Sequence, residues 1–256
     1  MAQPTPTLLS QSLTAQSLPA PSIAFLTTIT STASRLPPER ALLSLAATAK
    51  SRLLSSDLTS PNLLHPSTAS LPAQITDVHI KERVLSNDVF VQVIDIEDLS
   101  KSLWQQIETL EAERKGETTK GREIIRVLPQ SAEDDVGSTS STQHIPSHTS
   151  QPAASKGPYK VLLQDWKGNK VYGFELKRVE RLSYPLHMGI GCKVLLKKGA
   201  KVARGMVLLE PSCVLVFGGK VELLDKAWSD GREQRLRERV KREAEGRGGG
   251  GGEIEV

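Results

Sequence analysis

Aromatic residues are scarce: Phe, Trp and Tyr make up 4% of the 256-residue chain. That excludes a large ring-filled core, and a small β-barrel with so few rings needs them for its own interior. Cysteine is rarer still, with Cys192 and Cys213 alone and no CxxC pair. A disulfide framework and a cysteine-ligated zinc site are therefore not expected. Both residues adjoin apolar, strand-like runs and read as buried free thiols of a reducing compartment. No apolar run reaches membrane-spanning length. The chain does not open on a basic region followed by an apolar stretch, and no arginine precedes Arg35. Neither a secretory signal nor a mitochondrial presequence is expected. Phosphate-loop, nucleophile-elbow and HExxH motifs are missing as well.

What is present points to a modest core with much loop. Hydrophobic content is 38%, and the remainder is rich in Ser, Thr, Pro and Gly. A net charge of +4 permits an anionic partner without requiring one. Residues 1–34 carry no charged side chain, and 1–19 are expected to be disordered. Ser22 is placed to cap a short helix from Ile23, with Phe25, Leu26 and Ile29 on one face. Pro37 and Pro38 start a longer helix in which Leu42, Leu45, Ala46, Ala49 and Leu53 recur at helical spacing. Pro61, Pro66 and Pro72 break the connector after Asp57. Residues 20–72 thus read as a small helical region.

The pattern then changes to strands. Val89-Phe90-Val91-Gln92-Val93-Ile94 predicts a strand buried on both faces. Ser102-x-x-Gln105 forms a capping box for a helix reaching Lys115. Leu103, Ile107, Leu110 and Trp104 are its apolar candidates, and Gly116 is its stop. Ser131 to Gly157 is low-complexity and too polar to order itself. Just before it, Ile124, Ile125, Val127 and Leu128 form one apolar island. Strands resume at Tyr159–Asp165, return after a Gly-Asn turn from Lys170 to Val179, and continue at Lys193–Lys197, Val202–Leu209 and Val214–Phe217. Five or six short strands without long intervening helices favour a small closed barrel over a doubly wound sheet. The expected class is mainly β with helices. A barrel domain spans 75–228 with an insertion at 100–158, and 229–256 form an exposed mixed-charge helix and Gly-rich tail.

Candidate sites are few. Asp95, Glu97 and Asp98 form the densest acidic cluster, but alternation separates them and no histidine is near. A solvated strand-to-helix corner is the simpler reading than a magnesium site. His144 and His148 flank Pro146 in a loop without cysteine. No metal, cofactor or catalytic residue is expected, and the chain reads as a non-enzyme. Lys167, Lys170, Lys197, Lys198, Lys201 and Arg204 lie on or between strands, with Trp166, Tyr172, Phe174 and Tyr184 interleaved. Small barrels bind single strands with a basic groove and exposed rings. The six cations are candidate DNA contacts, with solvent-face roles as the alternative.

The order of motifs resembles a known family. The strings are Val89 through Asp98, Gly116 through Val127, Leu163-Gln164-Asp165, Tyr172 through Leu176, Arg204 through Pro211, and Val216 through Val221. Together they resemble the RecQ-mediated genome instability protein 1 family, in a short fungal-like form, over residues 20–230. The last two strings are the most specific, because they combine a turn, a strand and a Gly-Gly end. The resemblance implies a helical wedge on a single OB-fold barrel, with a long insertion after the first barrel strand. It implies a nuclear scaffold subunit that binds type IA topoisomerase III, joins it to a RecQ helicase, and supports decatenation and double Holliday junction dissolution. It also implies that the insertion reaches into the topoisomerase gate, which makes Ile124, Ile125, Arg126, Val127 and Leu128 partner contacts. Lys193, opening a strand after a Gly-containing turn, is a further partner contact by resemblance or an ordinary solvated strand-edge lysine. Longer animal members carry a second OB domain that recruits another small OB subunit; the chain reads as ending too soon for it, so that partner is not expected. Two alternatives stay open: a stand-alone single-stranded DNA-binding module, and a small hydrolase or nuclease using Asp95 and Asp98.

Overall fold

The computed structural model describes residues 5–31, 38–116, 157–184 and 188–248. Three helices come first: α1 (Pro6–Thr14), α2 (Ile23–Thr30) and α3 (Pro38–Ser55). Strands β1 (Arg83–Val84) and β2 (Val89–Asp98) precede α4 (Leu103–Lys115). Then come β3 (Tyr159–Asp165), β4 (Lys170–Glu175), β5 (Lys193–Leu196), β6 (Lys201–Ala203), β7 (Met206–Leu209) and β8 (Val214–Gly218). Helices α5 (Glu222–Asp230) and α6 (Arg232–Gly248) follow.

The eight strands form one sheet in the order β1-β6-β7-β4-β3-β2-β5-β8. Four strands separate β7 from β8 in that order, yet only four residues link them in the chain. Laid flat, five strand spacings would span about 24 Å. The link reaches at most about 18 Å. The sheet must therefore curl, with β7 parallel to β4 and β8 antiparallel to β5. Phe90 on β2 and Leu208 on β7 thus belong to one continuous sheet.

Alternation along β2 explains its unbroken burial. Val89, Val91 and Val93 enter the core inside the curl, with Val161, Leu163, Val171, Val194, Leu196, Val207 and Leu209. Phe90 points outward into a second core, built from Leu9, Leu13, Leu26, Ile29, Leu45, Ala49, Leu53 and Leu195. The helical region is a layer laid over the outer side of β2 and β5. Gly173 faces inward on β4, where a Cβ would sit 3.0 Å from the Leu209 side chain and 3.1 Å from that of Val161. Its rings, Tyr172 and Phe174, point away from the core instead of filling it.

Several expectations change. Residues 1–19 are not all disordered: α1 is capped by the Thr5 hydroxyl, has Pro6 in its first turn, and buries Leu9 and Leu13 completely. The expected strand Val202–Leu209 is a hairpin, because Arg204 and Gly205 both adopt positive φ (47° and 79°) and turn the chain. The Thr76 carbonyl oxygen lies 2.5 Å from where a Gly205 Cβ would be, so any side chain there collides with backbone. Helix α6 is not simply solvated: Arg239 pairs with Glu97 at 2.6 Å, and Arg237 bonds Glu111 on α4. Trp104, a candidate for the apolar side of α4, is 60% exposed. Cys192 is buried, whereas Cys213 is only partly so.

Candidate partner and nucleic-acid interfaces

The insertion is anchored at both ends on paired strands. Asp98 and Tyr159 are cross-strand partners at the end of the β2–β3 ladder, and the Leu99 amide donates to the Pro158 carbonyl at 3.0 Å. Glu175, 3% exposed, reinforces the return: its carboxylate accepts from the Tyr159 amide at 3.0 Å and the Val179 amide at 2.8 Å. On the departing side, the Ser102/Gln105 capping box is complete and Gly116 ends α4 in the left-handed region. Gln106, buried on α4, donates to the Asp98 and Lys101 carbonyls. Arg114 pairs with Glu233 at 3.3 Å, which ties α4 to α6. Exposed ion pairs of this kind are each worth at most about 1 kcal/mol, so the Gln106 bonds and the cap hold α4 more firmly. Ile124, Ile125, Arg126, Val127 and Leu128 lie outside the described residues.

Lys193 is corrected from the solvated strand-edge position. β5 runs between β2 and β8, and the Lys193 side chain is fully buried. It stands opposite Gln92 in the ladder, on the outer side that the helical layer covers. Its ammonium donates to the Gly191 carbonyl at 2.5 Å. Burial pulls its pKa down to about 8, against favourable interactions with Cys192 and Asp57. Burial likewise pushes the Cys192 thiol up to about 11. In this state the ammonium offers no surface to a partner.

Beside Lys193, a polar joint fixes the helical layer to the sheet. Gln92, fully buried, donates to Asp57 at 2.7 Å and accepts from the Leu58 amide at 3.0 Å. Desolvation raises the Asp57 pKa, but hydrogen bonds from Thr59 and Gln92, helped by Lys193, outweigh it and leave the carboxyl below its usual value. Asp165 makes a matching joint at the β3–β4 turn, accepting from the Leu71, Lys167 and Asn169 amides, each at 2.9 Å. The sequence signal for these groups is a polar residue inside an otherwise apolar strand, as in Val91-Gln92-Val93.

The six candidate DNA cations are brought together only in part. Register places the β3–β4 turn, the end of β5 and the β6–β7 turn toward one end of the sheet. Lys167, Lys170 and Arg204 are exposed at two of these turns, Lys198 at the third, with Lys197 half-buried. Lys201 is paired with Glu82 at 3.3 Å. Trp166 is half-buried, and its indole donates to the Thr68 carbonyl. Tyr184 packs edge-on against Trp228. Tyr172 alone of the interleaved rings is largely open, 44% exposed with the Lys160 ammonium 4.5 Å over it.

The acidic cluster is neither a solvated corner nor a convergent site. Asp95 accepts from the Trp228 indole at 2.6 Å, Glu97 holds Arg239, and Asp98 accepts from the Ser100 amide. Among the described residues, no group of three or more His, Cys, Asp or Glu side chains is disposed to hold a metal.

A curled sheet with a parallel β4–β7 closure, an insertion between its first two long strands and a covering helix defines an OB-fold protein. Residues 71–232 match the family described as RMI1, N-terminal OB-fold domain, and the chain belongs to that family. It is also similar to the RecQ-mediated genome instability protein 1 of Schizosaccharomyces pombe, at 26% identity over 164 residues. That alignment covers 62% of this chain and 66% of the yeast protein, just under two thirds of its length.

Proposed function

We propose that this protein is a non-catalytic scaffold subunit acting in genome stability with a RecQ helicase and a type IA topoisomerase III. In this reading it works in the nucleus. The OB-fold and its insertion bind the topoisomerase and promote decatenation and double Holliday junction dissolution. The supporting observation is the anchoring of the insertion: a segment of some sixty residues leaves and re-enters the sheet at directly paired positions, Asp98 and Tyr159. Such a segment can leave the barrel without disturbing its ladder. Bound to one state of an enzyme's gate more tightly than another, it shifts the gate's population by no more than that difference in affinity.

The test is deletion of residues 120–156 with a short Gly-Ser bridge. The barrel should keep its thermal midpoint within about 4 °C, since shortening a loop changes closure entropy by only ~1 kcal/mol. Capture of purified topoisomerase III should fall by at least about tenfold, equivalent to ~1.4 kcal/mol, and stimulation of decatenation should disappear. Full stimulation by the deletion variant counts against the reading.

A further inference from the structure

We propose that α6 is an electrostatic latch on α4, the helix that opens the insertion, with Glu233 and Arg237 as positioning residues. The latch is a property of these two helices; its effect on topoisomerase binding rests on the scaffold reading. The family match ends at residue 232, where α6 starts, so the α6 side of the contact lies beyond the matched domain.

The two halves of α4 are held differently. The first half is fixed to the barrel: the Ser102/Gln105 box caps it, Gln106 donates to the Asp98 and Lys101 carbonyls at 3.0 and 3.2 Å, and Ile107 is buried. The far half, Glu108 to Lys115, carries a single large apolar side chain, Leu110, which is only half-buried. Among the described residues, the side-chain bonds that lead out of this half go to α6 alone. A helix of 13 residues is marginal in water on its own hydrogen bonds. Its last two turns therefore need a neighbour, and α6 supplies one.

The contact is a chain of alternating charges. Arg114 pairs with Glu233 at 3.3 Å, Glu233 pairs with Arg237 at 3.0 Å one turn along α6, and Arg237 bonds Glu111. Glu111 and Arg114 stand three residues apart on α4, and Glu233 and Arg237 four apart on α6, so each pair shares one helix face. Helix α6 has its own hold on the barrel. Arg239 pairs with Glu97 of β2 at 2.6 Å. Arg232 lies over the Tyr184 and Trp228 rings, 5.1 and 4.9 Å from their centroids, and donates to Gln106. Position is thus handed from the barrel through α6 to the far end of α4, where Gly116 stops the helix. Exposed ion pairs are individually weak and are screened by salt. A joint made of them holds one arrangement and still yields to a stronger partner, which suits a helix that aims a binding segment.

The experiment uses two half swaps in the full chain, each of which leaves its net charge unchanged. One reverses the α6 pair, Glu233→Arg with Arg237→Glu, and the other reverses the α4 pair, Glu111→Arg with Arg114→Glu. Each half swap sets like charges across the contact, and the fourfold variant restores opposite ones. Hydrogen exchange of the amides of residues 109–116 should quicken by about tenfold in the α6 half swap, although α4 itself is unaltered there. It should return to the wild-type rate in the fourfold variant. In wild type the same amides should exchange faster as salt rises from about 0.05 to about 1 M. Capture of purified topoisomerase III should fall by about fivefold in each half swap, as when the latched arrangement drops to about a fifth of the population. Capture should recover in the fourfold variant; a direct contact between these side chains and the partner would not survive inversion of all four charges. Exchanging Lys241 and Glu245, which pair with each other along α6, should change neither readout. Wild-type exchange rates in the α6 half swap overturn the latch, and so does a fourfold variant that stays fast. Quickened exchange with wild-type capture overturns the positioning role. Should the wild-type protein capture no topoisomerase, the scaffold reading falls and the exchange rates alone decide the latch.

Discussion

Replacing Phe90 with alanine is expected to destabilise the protein by about 3–5 kcal/mol, through lost transfer free energy and the cavity left behind. For a chain of this size that corresponds to a fall in thermal midpoint of roughly 6–20 °C. Phe90 is 2% exposed and projects from the start of β2 into the helical layer, with its ring centroid 5.6 Å from that of Phe217. It therefore belongs to both structural units: its backbone is in the sheet and its side chain is in the helical core. The variant should lose helical signal at lower denaturant than it loses sheet signal, because the layer is weakened more directly than the barrel. Circular dichroism melts and urea titrations check both points. A loss below about 0.5 kcal/mol, which is within the range of ordinary surface substitutions, would show that the helices do not rely on this face. The half-exposed Leu176→Ala is the comparison, expected to change little.

Lys193→Met should act in the opposite direction near neutral pH. The folded pKa of Lys193, about 8, lies below its ordinary value of 10.5. Below pH 8 the lysine is charged in both states, and the folded protein carries the full burial cost, of order 3 kcal/mol. Between pH 8 and 10.5 the unfolded chain binds more protons, so this cost disappears and stability rises with pH. Cys192 has the reverse sign. Its thiol ionises near 9 when unfolded and about 11 when folded, so stability falls as pH rises between those values. Wild-type stability should thus increase from pH 8 to 9, level off while the two effects oppose, and decline toward 11. Methionine keeps the side-chain volume, removes the charge and forfeits the charge-assisted bond to the Gly191 carbonyl, itself worth about 2 kcal/mol. The variant should be more stable than wild type by roughly 1–2 kcal/mol at pH 7, where a buried charge replaced by an apolar group commonly gives a gain. It should lack the rise between pH 8 and 9. Urea midpoints at pH 7, 8.5 and 10 decide it, and a variant destabilised at pH 7 would make the ammonium a net favourable part of the joint.

Much of this molecule follows from local chemistry. The Ser102/Gln105 cap, the Gly116 stop, the helical repeat from Leu45 to Leu53 and the Val89–Ile94 strand are settled by residues a few positions apart, and such signals survive in the folded chain. Alternation along Lys170 to Leu176 divides the side chains between two faces but does not say which face is inside. The inward set proved to be Val171, Gly173 and Glu175, because Gly173 admits the Leu209 and Val161 side chains and Glu175 answers two backbone amides. Likewise Leu9 and Leu13 make a weak local signal in an uncharged segment, and become core only because α3 and β2 supply a surface to cover.

The candidate site was less legible for the same reason. The string Lys193-Val194-Leu195-Leu196 is equally compatible with an edge strand and an interior one, since nothing in it specifies a neighbour on either side or a layer above. Local sequence signals were enough for most of the elements, for the OB-fold class by resemblance, and for the point at which the long insertion interrupts the strands; they missed α1 and the hairpin turn at Arg204-Gly205. Tertiary structure alone decided which outer strand faces are sealed by helices and which remain open, and so turned Lys193 into a buried joint and left Tyr172 on the surface. Local propensities act over a few residues. Coverage of a sheet face depends on packing between segments far apart in the chain, such as Leu9, Leu45 and Leu53 of the helical layer over Phe90 and Leu195.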